Sequence, residues 1–508
     1  MRQLEFRRRL IASGLILGLS GMLGCESYPF LGIGADAAVE GDDKAPAGNF
    51  NQGEPFTEVL LDGRTFTNPT AVTTITYIPG DRTRRPFLID FNGDGKADPV
   101  VSYAQATEDV WQILLSVGPI GDVDFFSLTL DRKQRANLLD TAVGDIDGDG
   151  ALDIIGASEA GVVYLHNPGP GEETILRAWG SENLDEELLD NTTDTLTADE
   201  INDIITQVLP PGTNLDNYDI TVEQGYTNVE IADYDDDSDE DVIASRRFKL
   251  TLTPKPDTNV EPITIISGEL QLLLNPGLST TTGVGWQLAS IGRHERAQVF
   301  DREGASGLLA YDMDLDGDFD VVAAARDDGN AQLAWFENPG PVNIATFDQW
   351  TQWRIGSVRD SNGFDIADLT GDGLPDVLAN GALQQQTVLF EQPSTGPNRE
   401  FDWTAYDLVT YETFMPNDVR VMDIDADGTL EFVVTGSAGA VRYFDRNGDP
   451  RLPWTPTEVA TFDPPGNVGK LGYGDLDADG DLDLVAVLND DEEAAGDNFD
   501  RVVWIRNE

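Results

Sequence analysis

The chain is nearly without the residues that cross-link or catalyse. Its 508 residues include one cysteine, Cys25, and two histidines, His166 and His294. A single thiol excludes a disulfide framework. No nucleophile elbow, zinc-binding pair or phosphate loop occurs either. Positive charge is scarce: 32 Lys and Arg stand against 92 Asp and Glu, for a net charge of −60. Such a surface repels nucleic acid and anionic membranes. The apolar run Leu10 to Gly24 is too short to span a bilayer. These absences leave thin evidence for an enzyme, and a non-enzymatic module is the expectation. A polysaccharide lyase or other carbohydrate-active enzyme is the alternative, because carboxylate pairs are too abundant to single one out.

Residues 1–25 read as a bacterial export signal. Arg2, Arg7, Arg8 and Arg9 precede the apolar run, and Met22-Leu23-Gly24-Cys25 resembles the lipobox of bacterial lipoproteins. Cys25 is thus the expected lipidation site, with plain secretion as the alternative. Residues 25–54 carry Gly, Ala, Pro and Asp without periodicity and read as a flexible tether to a domain over 55–508. The expected location is extracytoplasmic, with membrane contact only through the lipid.

Acidic residues concentrate in seven loops that repeat Asp-x-Asp-Gly-Asp-Gly-x-x-Asp or a near copy. Alternating carboxylates in one small volume need a cation between them. Calcium suits irregular oxygen cages of six to eight ligands. Positions one, three, five and nine offer side-chain oxygens, position seven a backbone carbonyl, and a glycine at position six makes the turn. The expected ligands are Asp90, Asn92, Asp94, Lys96 and Asp98 in the first loop, and Asp145, Asp147, Asp149, Ala151 and Asp153 in the second. The third has Asp233, Asp235, Asp237, Asp239 and Asp241; the fourth has Asp312, Asp314, Asp316, Asp318 and Asp320. Asp368, Thr370, Asp372, Leu374 and Asp376 form the fifth. Asp423, Asp425, Asp427, Thr429 and Glu431 form the sixth, and Asp475, Asp477, Asp479, Asp481 and Asp483 the seventh. Asn92 and Thr370 each remove one charge. Ser238 replaces the glycine of the third loop, which predicts a distorted, weaker site. Each ion is expected to staple a loop rather than to catalyse.

β-type residues follow each ninth position, as in Asp320-Val321-Val322, so strand–loop–strand is favoured over a helical calcium loop. The basic unit is about 55 residues, a period typical of propellers and solenoids. A third strand ends in Asn-Pro-Gly at Asn167, Asn275 and Asn338. A fourth follows an aromatic-x4-aliphatic frame: Trp286 to Ile291, Trp353 to Val358, Trp403 to Leu408, Trp454 to Val459, Phe125 to Leu130 and Phe56 to Leu61. The fold class read from this is all-β, a seven-bladed β-propeller of four-stranded antiparallel blades with calcium-binding loops. Phe56 to Leu61 is expected to complete the last blade.

At these residues the chain resembles the FG-GAP/VCBS repeat family, which includes the propellers of integrin alpha subunits. The resemblance implies a calcium-bound propeller, with up to seven structural Ca2+, used in adhesion and ligand recognition. It implies an unknown protein or glycan partner and does not fix function, since such propellers also occur in lyases and lectin-like proteins.

Function is expected on the face opposite the calcium loops, where connections are enlarged. The enlarged segments are Asp62 to Ile89, Phe248 to Ile266, Gly292 to Tyr311 and Asn489 to Asp500. They hold much of the scarce positive charge, including Arg84, Arg85, Arg293 and Arg296, with Arg246, Arg247, Lys249 and Lys255 nearby. Two readings stand: a basic cup for an anionic ligand such as an acidic glycan, or local pairing with carboxylates. The largest insertion, 171–217, contains a capped amphipathic helix over Thr197–Leu209. Its face is left open by two candidates for the preceding fourth strand, Ile175–Trp179 and Tyr218–Val222.

Overall fold

The computed structural model describes residues 57–507, apart from 61–68, 77–86, 168–185, 189–200, 207–214, 278–285, 293–304, 394–402, 490–500 and shorter connections. Cys25, the export signal and the tether lie outside the described residues. No helix among the described residues is long and apolar enough to cross a membrane.

Alternating apolar residues and tight acidic loops produce an all-β propeller of antiparallel, four-stranded sheets. The sheet of Phe364–Ala367, Asp376–Gly381, Gln386–Glu391 and Thr404–Thr410 shows the unit. Its first strand enters the acidic loop and its second leaves it. The third returns to the loop face, and the fourth returns to the opposite face. Six sheets have this strand order, with first strands Pro69–Thr73, Leu138–Gly144, Tyr218–Ala232, Ala305–Tyr311, Phe364–Ala367 and Pro416–Met422; in the first of them a two-stranded ribbon stands between the first strand and the acidic loop. We call them blades one to six. A further sheet is composite: Asn467–Gly474, Asp483–Asn489 and Arg501–Arg506 are joined by Thr57–Leu60, with Val59 opposite Trp504.

Neighbouring sheets share apolar clusters. Ile291 and Leu272 of blade three pack with Val321 and Phe336 of blade four. The composite sheet packs on blade six through Leu484 and Val503 against Val433 and Val459, and on blade one through Val485 and Trp504 against Val101 and Leu114. Close approach explains Gly356, where an added Cβ would stand 2.2 Å from the Phe390 ring. Near the first strands, buried carboxylates accept backbone N–H groups across the gap between blades. Asp140 takes Val229, Asp365 takes Val421, and Asp418 takes Leu471, at 3.2, 2.9 and 3.0 Å. Each bond satisfies a donor that would otherwise be buried unpaired.

Three expectations need correction. Trp350, not Trp353, heads the fourth strand of blade four. Trp350 is buried with its indole N–H on the Ile344 carbonyl, whereas Trp353 donates to Glu337. The fourth strand of blade two is Glu186–Leu188 and not Tyr218–Val222; Ile175–Trp179 lies outside the described residues. Tyr218–Val222 begins the long first strand of blade three, whose charged residues are mostly exposed there. Finally, Asp62 to Ile89 is not a simple crossing. It contains the first strand of blade one, then a ribbon pairing Ile75–Thr76 with Phe87–Leu88, which touches the first strands of both neighbouring sheets.

The extension of blade three stands on the face opposite the loops. Asp241–Pro254 and Ile263–Leu274 run well past the ring, and Ile201 and Ile205, on the helix, pack against Phe248, Leu250, Leu252 and Ile265. The helix is therefore a cap on this hairpin. Removing its anchor with Ile205→Ala is expected to cost about 2 kcal/mol locally. Amide hydrogen exchange at 248–252 and 263–265 should then accelerate roughly 30-fold while ring strands keep their protection. Equal acceleration in the ring would show that the cap is not an independent unit.

Candidate metal centres

Each acidic loop is folded by its own carboxylates. The first aspartate accepts the position-six N–H in all seven loops, from 2.7 Å at Gly95 to 3.1 Å at Ser238 and Gly480. The fifth carboxylate accepts the position-seven N–H in all seven as well. This is what fixes Lys96, Ala151, Asp239, Asp318, Leu374, Thr429 and Asp481. Position six has positive φ throughout, +86° at Gly95 and +107° at Gly317. Ser238 adopts +77° and keeps the same hydrogen bond, so the third loop retains its shape and the strain is confined to one residue. Position four also has positive φ, at non-glycine residues Asp236, Leu315, Ala426 and Ala478. That requirement is invisible in the sequence, because three glycines at this position look like variation.

The ninth carboxylate is buried in every loop. Except at Glu431, which takes the Ile424 N–H and the Thr429 hydroxyl, one oxygen takes a loop N–H and the other takes the N–H at the end of the third strand. Asp320 accepts Met313 at 3.0 Å and Asn338 at 2.7 Å. The same pairs recur at Asp98, Asp153, Asp241 and Asp483. Thr370 takes the loop role on Asp376. The third-strand carboxamide then reaches the loop of the preceding blade. Asn338 Nδ2 donates to the Phe319 carbonyl of its own loop and to the Tyr234 carbonyl of the preceding one, both at 2.9 Å. Asn275, Gln392 and Asn507 also reach the preceding loop. Sequence reading identified Asn-Pro-Gly as a turn and missed this staple.

Carboxylate oxygens converge within 4.8 Å in Asp145/Asp147/Asp153, Asp233/Asp235/Asp241, Asp312/Asp314/Asp316 and Asp423/Asp425/Glu431. Several are buried without a hydrogen-bond partner: Asp145 Oδ1, Asp235 Oδ1, Asp423 Oδ1, Asp475 Oδ1 and Thr370 Oγ1. Orphaned oxygens aimed at one another fit a hard cation, and the sets contain no thiolate. Asn92 lies outside the described residues. His166, assigned no ligand role from the sequence, brings Nε2 to 2.5 Å from Asp147 Oδ2. Its place just before Asn167, where the side chain faces the loop, was the available signal.

Without a cation these groups resist ionisation. Burial pushes Asp98 and Glu431 up to about 8 and Asp376 up to about 6. Burial also raises Asp153, Asp241, Asp320 and Asp483 well above the usual carboxylate range.

The expected ligand-face residues Arg84, Arg85, Arg293 and Arg296 lie outside the described residues. Three of the described cations of this region, Arg246, Lys249 and Lys255, have polar partners. Arg246 is buried against Glu269 and over the Phe248 ring, and Lys249 meets Glu223 at 2.9 Å. Lys255 donates to the Asp216 carbonyl.

The FG-GAP-like repeat family matches residues 312–379 and 423–486. Both stretches run from an acidic loop into the strands that follow it. The chain is an FG-GAP repeat propeller. No curated protein matches it. Among solved structures it is similar to a lectin of Agrocybe aegerita that recognises non-reducing terminal N-acetylglucosamine, at 16% identity. That match covers 73% of this chain and 79% of the lectin, with a TM-score of 0.38. It is also similar to the Dos1 propeller, at 12% identity, 89% and 95% coverage and a TM-score of 0.38. At these scores neither likeness bears on this FG-GAP propeller's ligand.

Two outcomes are expected. Ser238→Gly relieves a left-handed residue and should stabilise the protein by about 1 kcal/mol, measured by denaturant unfolding; no gain would mean that the loop relaxes in the serine form. The second concerns pH. Groups whose pKa rises on folding add stability below their unfolded pKa, and that stability is lost as pH climbs through 6 to 8. In chelator, calorimetric melting temperature should therefore fall from pH 6 to 8.5. With a divalent cation the ionised carboxylates are held, and the melting temperature should instead fall towards low pH. Slopes of the same sign would contradict the assignment.

Proposed function

We propose that this FG-GAP propeller is a calcium-stabilised, extracytoplasmic module for ligand binding or adhesion, without enzymatic activity. The observation that carries the reading is the set of buried, unpartnered oxygens converging in the acidic loops. Calcium is the hard cation that accepts such irregular cages and is abundant outside cells. The composite sheet is then the seventh blade that closes the ring. Support comes from its apolar contacts with blades six and one. An experimental structure with six blades would overturn this.

The ligand face is the one opposite the loops, where the hairpin of blade three and its helical cap project. Arg84 and Arg85 belong to the segment between Ile75–Thr76 and Phe87–Leu88, and that ribbon touches the first strands of both neighbours. With Arg293 and Arg296 they would attract an anionic glycan. The partner is thus a glycan or protein rather than nucleic acid, and the propeller works as a monomer. Acylation at Cys25 would tether it to the membrane; labelled palmitate retained after Cys25→Ser would exclude this.

If a site binds calcium with a dissociation constant near ~10⁻⁵ M, about 1 mM calcium stabilises by roughly 2.7 kcal/mol per site. EDTA should lower the melting temperature sharply, and an unchanged melt refutes the calcium reading. Arg84→Glu with Arg293→Glu should weaken binding of an anionic glycan selected on an array and flatten its salt dependence, with the calcium-dependent melt intact. Unchanged affinity with a lowered melting temperature would remove the ligand-face reading.

A further inference from the structure

The residue just before the third-strand carboxamide can face the acidic loop of its own blade, as His166 does on Asp147, and its chemistry varies. Leu274 holds this place in blade three, where Asp235 Oδ1 stays buried and unpartnered. Arg506 holds it in the composite sheet. Its Nη2 lies 2.8 Å from Oδ2 of Asp477 and 3.8 Å from Oδ2 of Asp479, loop positions three and five. Asp477 is fully buried, and the guanidinium is backed by the Trp504 ring at 5.7 Å. The seventh loop thus has a fixed positive charge on the carboxylates a metal would need.

The first loop shows the same feature by another route. Lys96, at position seven, is 5% exposed, rare for a lysine. Its Nζ sits 2.9 Å from Asp94 Oδ2, loop position five. These two loops are spatial neighbours across the closure of the chain, joined by the Ala97 N–H to the Asp475 carbonyl at 2.9 Å. Blade one has Ser116 where Asn275, Asn338, Gln392 and Asn507 supply the stapling carboxamide, and its hydroxyl bonds its own loop carbonyl, Ala97.

We propose that Arg506 and Lys96 are built-in counter-ions that replace calcium in the seventh and first loops, so the closure of the ring holds its shape without metal while other loops require it. The proposal rests on the calcium reading above. A guanidinium held beside two carboxylates neutralises the charge that would draw calcium in, and its entry would have to displace a cation tethered to the chain. Only the intervening blades would then answer to calcium concentration.

The test is the number of calcium ions per chain, counted by native mass spectrometry of the full propeller at about 1 mM calcium. Asp475→Asn should leave the count unchanged, whereas Asp312→Asn should remove one ion. Arg506→Leu should add one ion, and Lys96→Ala should add another. Loss of one ion in Asp475→Asn, or an unchanged count in Arg506→Leu and Lys96→Ala, overturns the proposal while leaving the calcium reading intact. If Arg506→Leu does not fold, Asp475→Asn decides for the seventh loop. Binding of no calcium by the unmodified chain overturns both.

Discussion

The ninth carboxylate of each acidic loop is the constraint on which the rest depends. It is buried, yet in all but the sixth loop it faces two backbone N–H groups from different parts of the blade. One pins the loop back on itself, and the other ends the third strand at a fixed residue. In four sheets the residue at that strand end also carries the carboxamide that grips the loop of the preceding blade. A single charged side chain in a low-dielectric setting thus sets loop shape, strand register and blade spacing together. Losing it would strand several buried donors at once, which is more costly than losing one contact.

The loops are a compromise between order and charge. Their backbone hydrogen bonds already define the turn, so the loop shape does not wait for an ion. What stays unbalanced is electrostatic: carboxylates are drawn together by backbone donors faster than their charge is neutralised. Burial answers part of this by favouring the protonated form. A cation answers it better, because it keeps every carboxylate ionised and gives the orphaned oxygens a partner. The two solutions have opposite pH dependence, which makes them distinguishable.

Blade-to-blade adhesion is divided by chemistry. Apolar clusters fill the middle of each gap, carboxylates near the first strands cap backbone donors, and carboxamides join neighbouring loops. Excess negative charge is tolerable because much of it is committed to such bonds or gathered in loops at one face. The opposite face is left free of these duties, and it is there that blade three grows beyond the ring.

The sequence by itself determined the repeat, the strand–loop–strand unit, the acidic ligands at alternating positions and the pairing of Thr57–Leu60 with the last strand. These follow from local rules: alternation, turn glycines and the charge that a small volume can hold. Tertiary structure decided what depends on neighbours. Trp350 rather than Trp353 became the buried anchor because it lies inside the cluster shared with blade three, while Trp353 stays partly exposed and donates to Glu337. Glu186–Leu188 became an outer strand without any apolar signal, since an edge strand needs backbone partners more than burial. Position four took a left-handed backbone at leucine and alanine because the loop's hydrogen bonds outweigh the local penalty. His166, Arg506 and Lys96 point into loops at their own positions only because the third strand, or the turn, brings them there. Spacing along the chain carries no record of that.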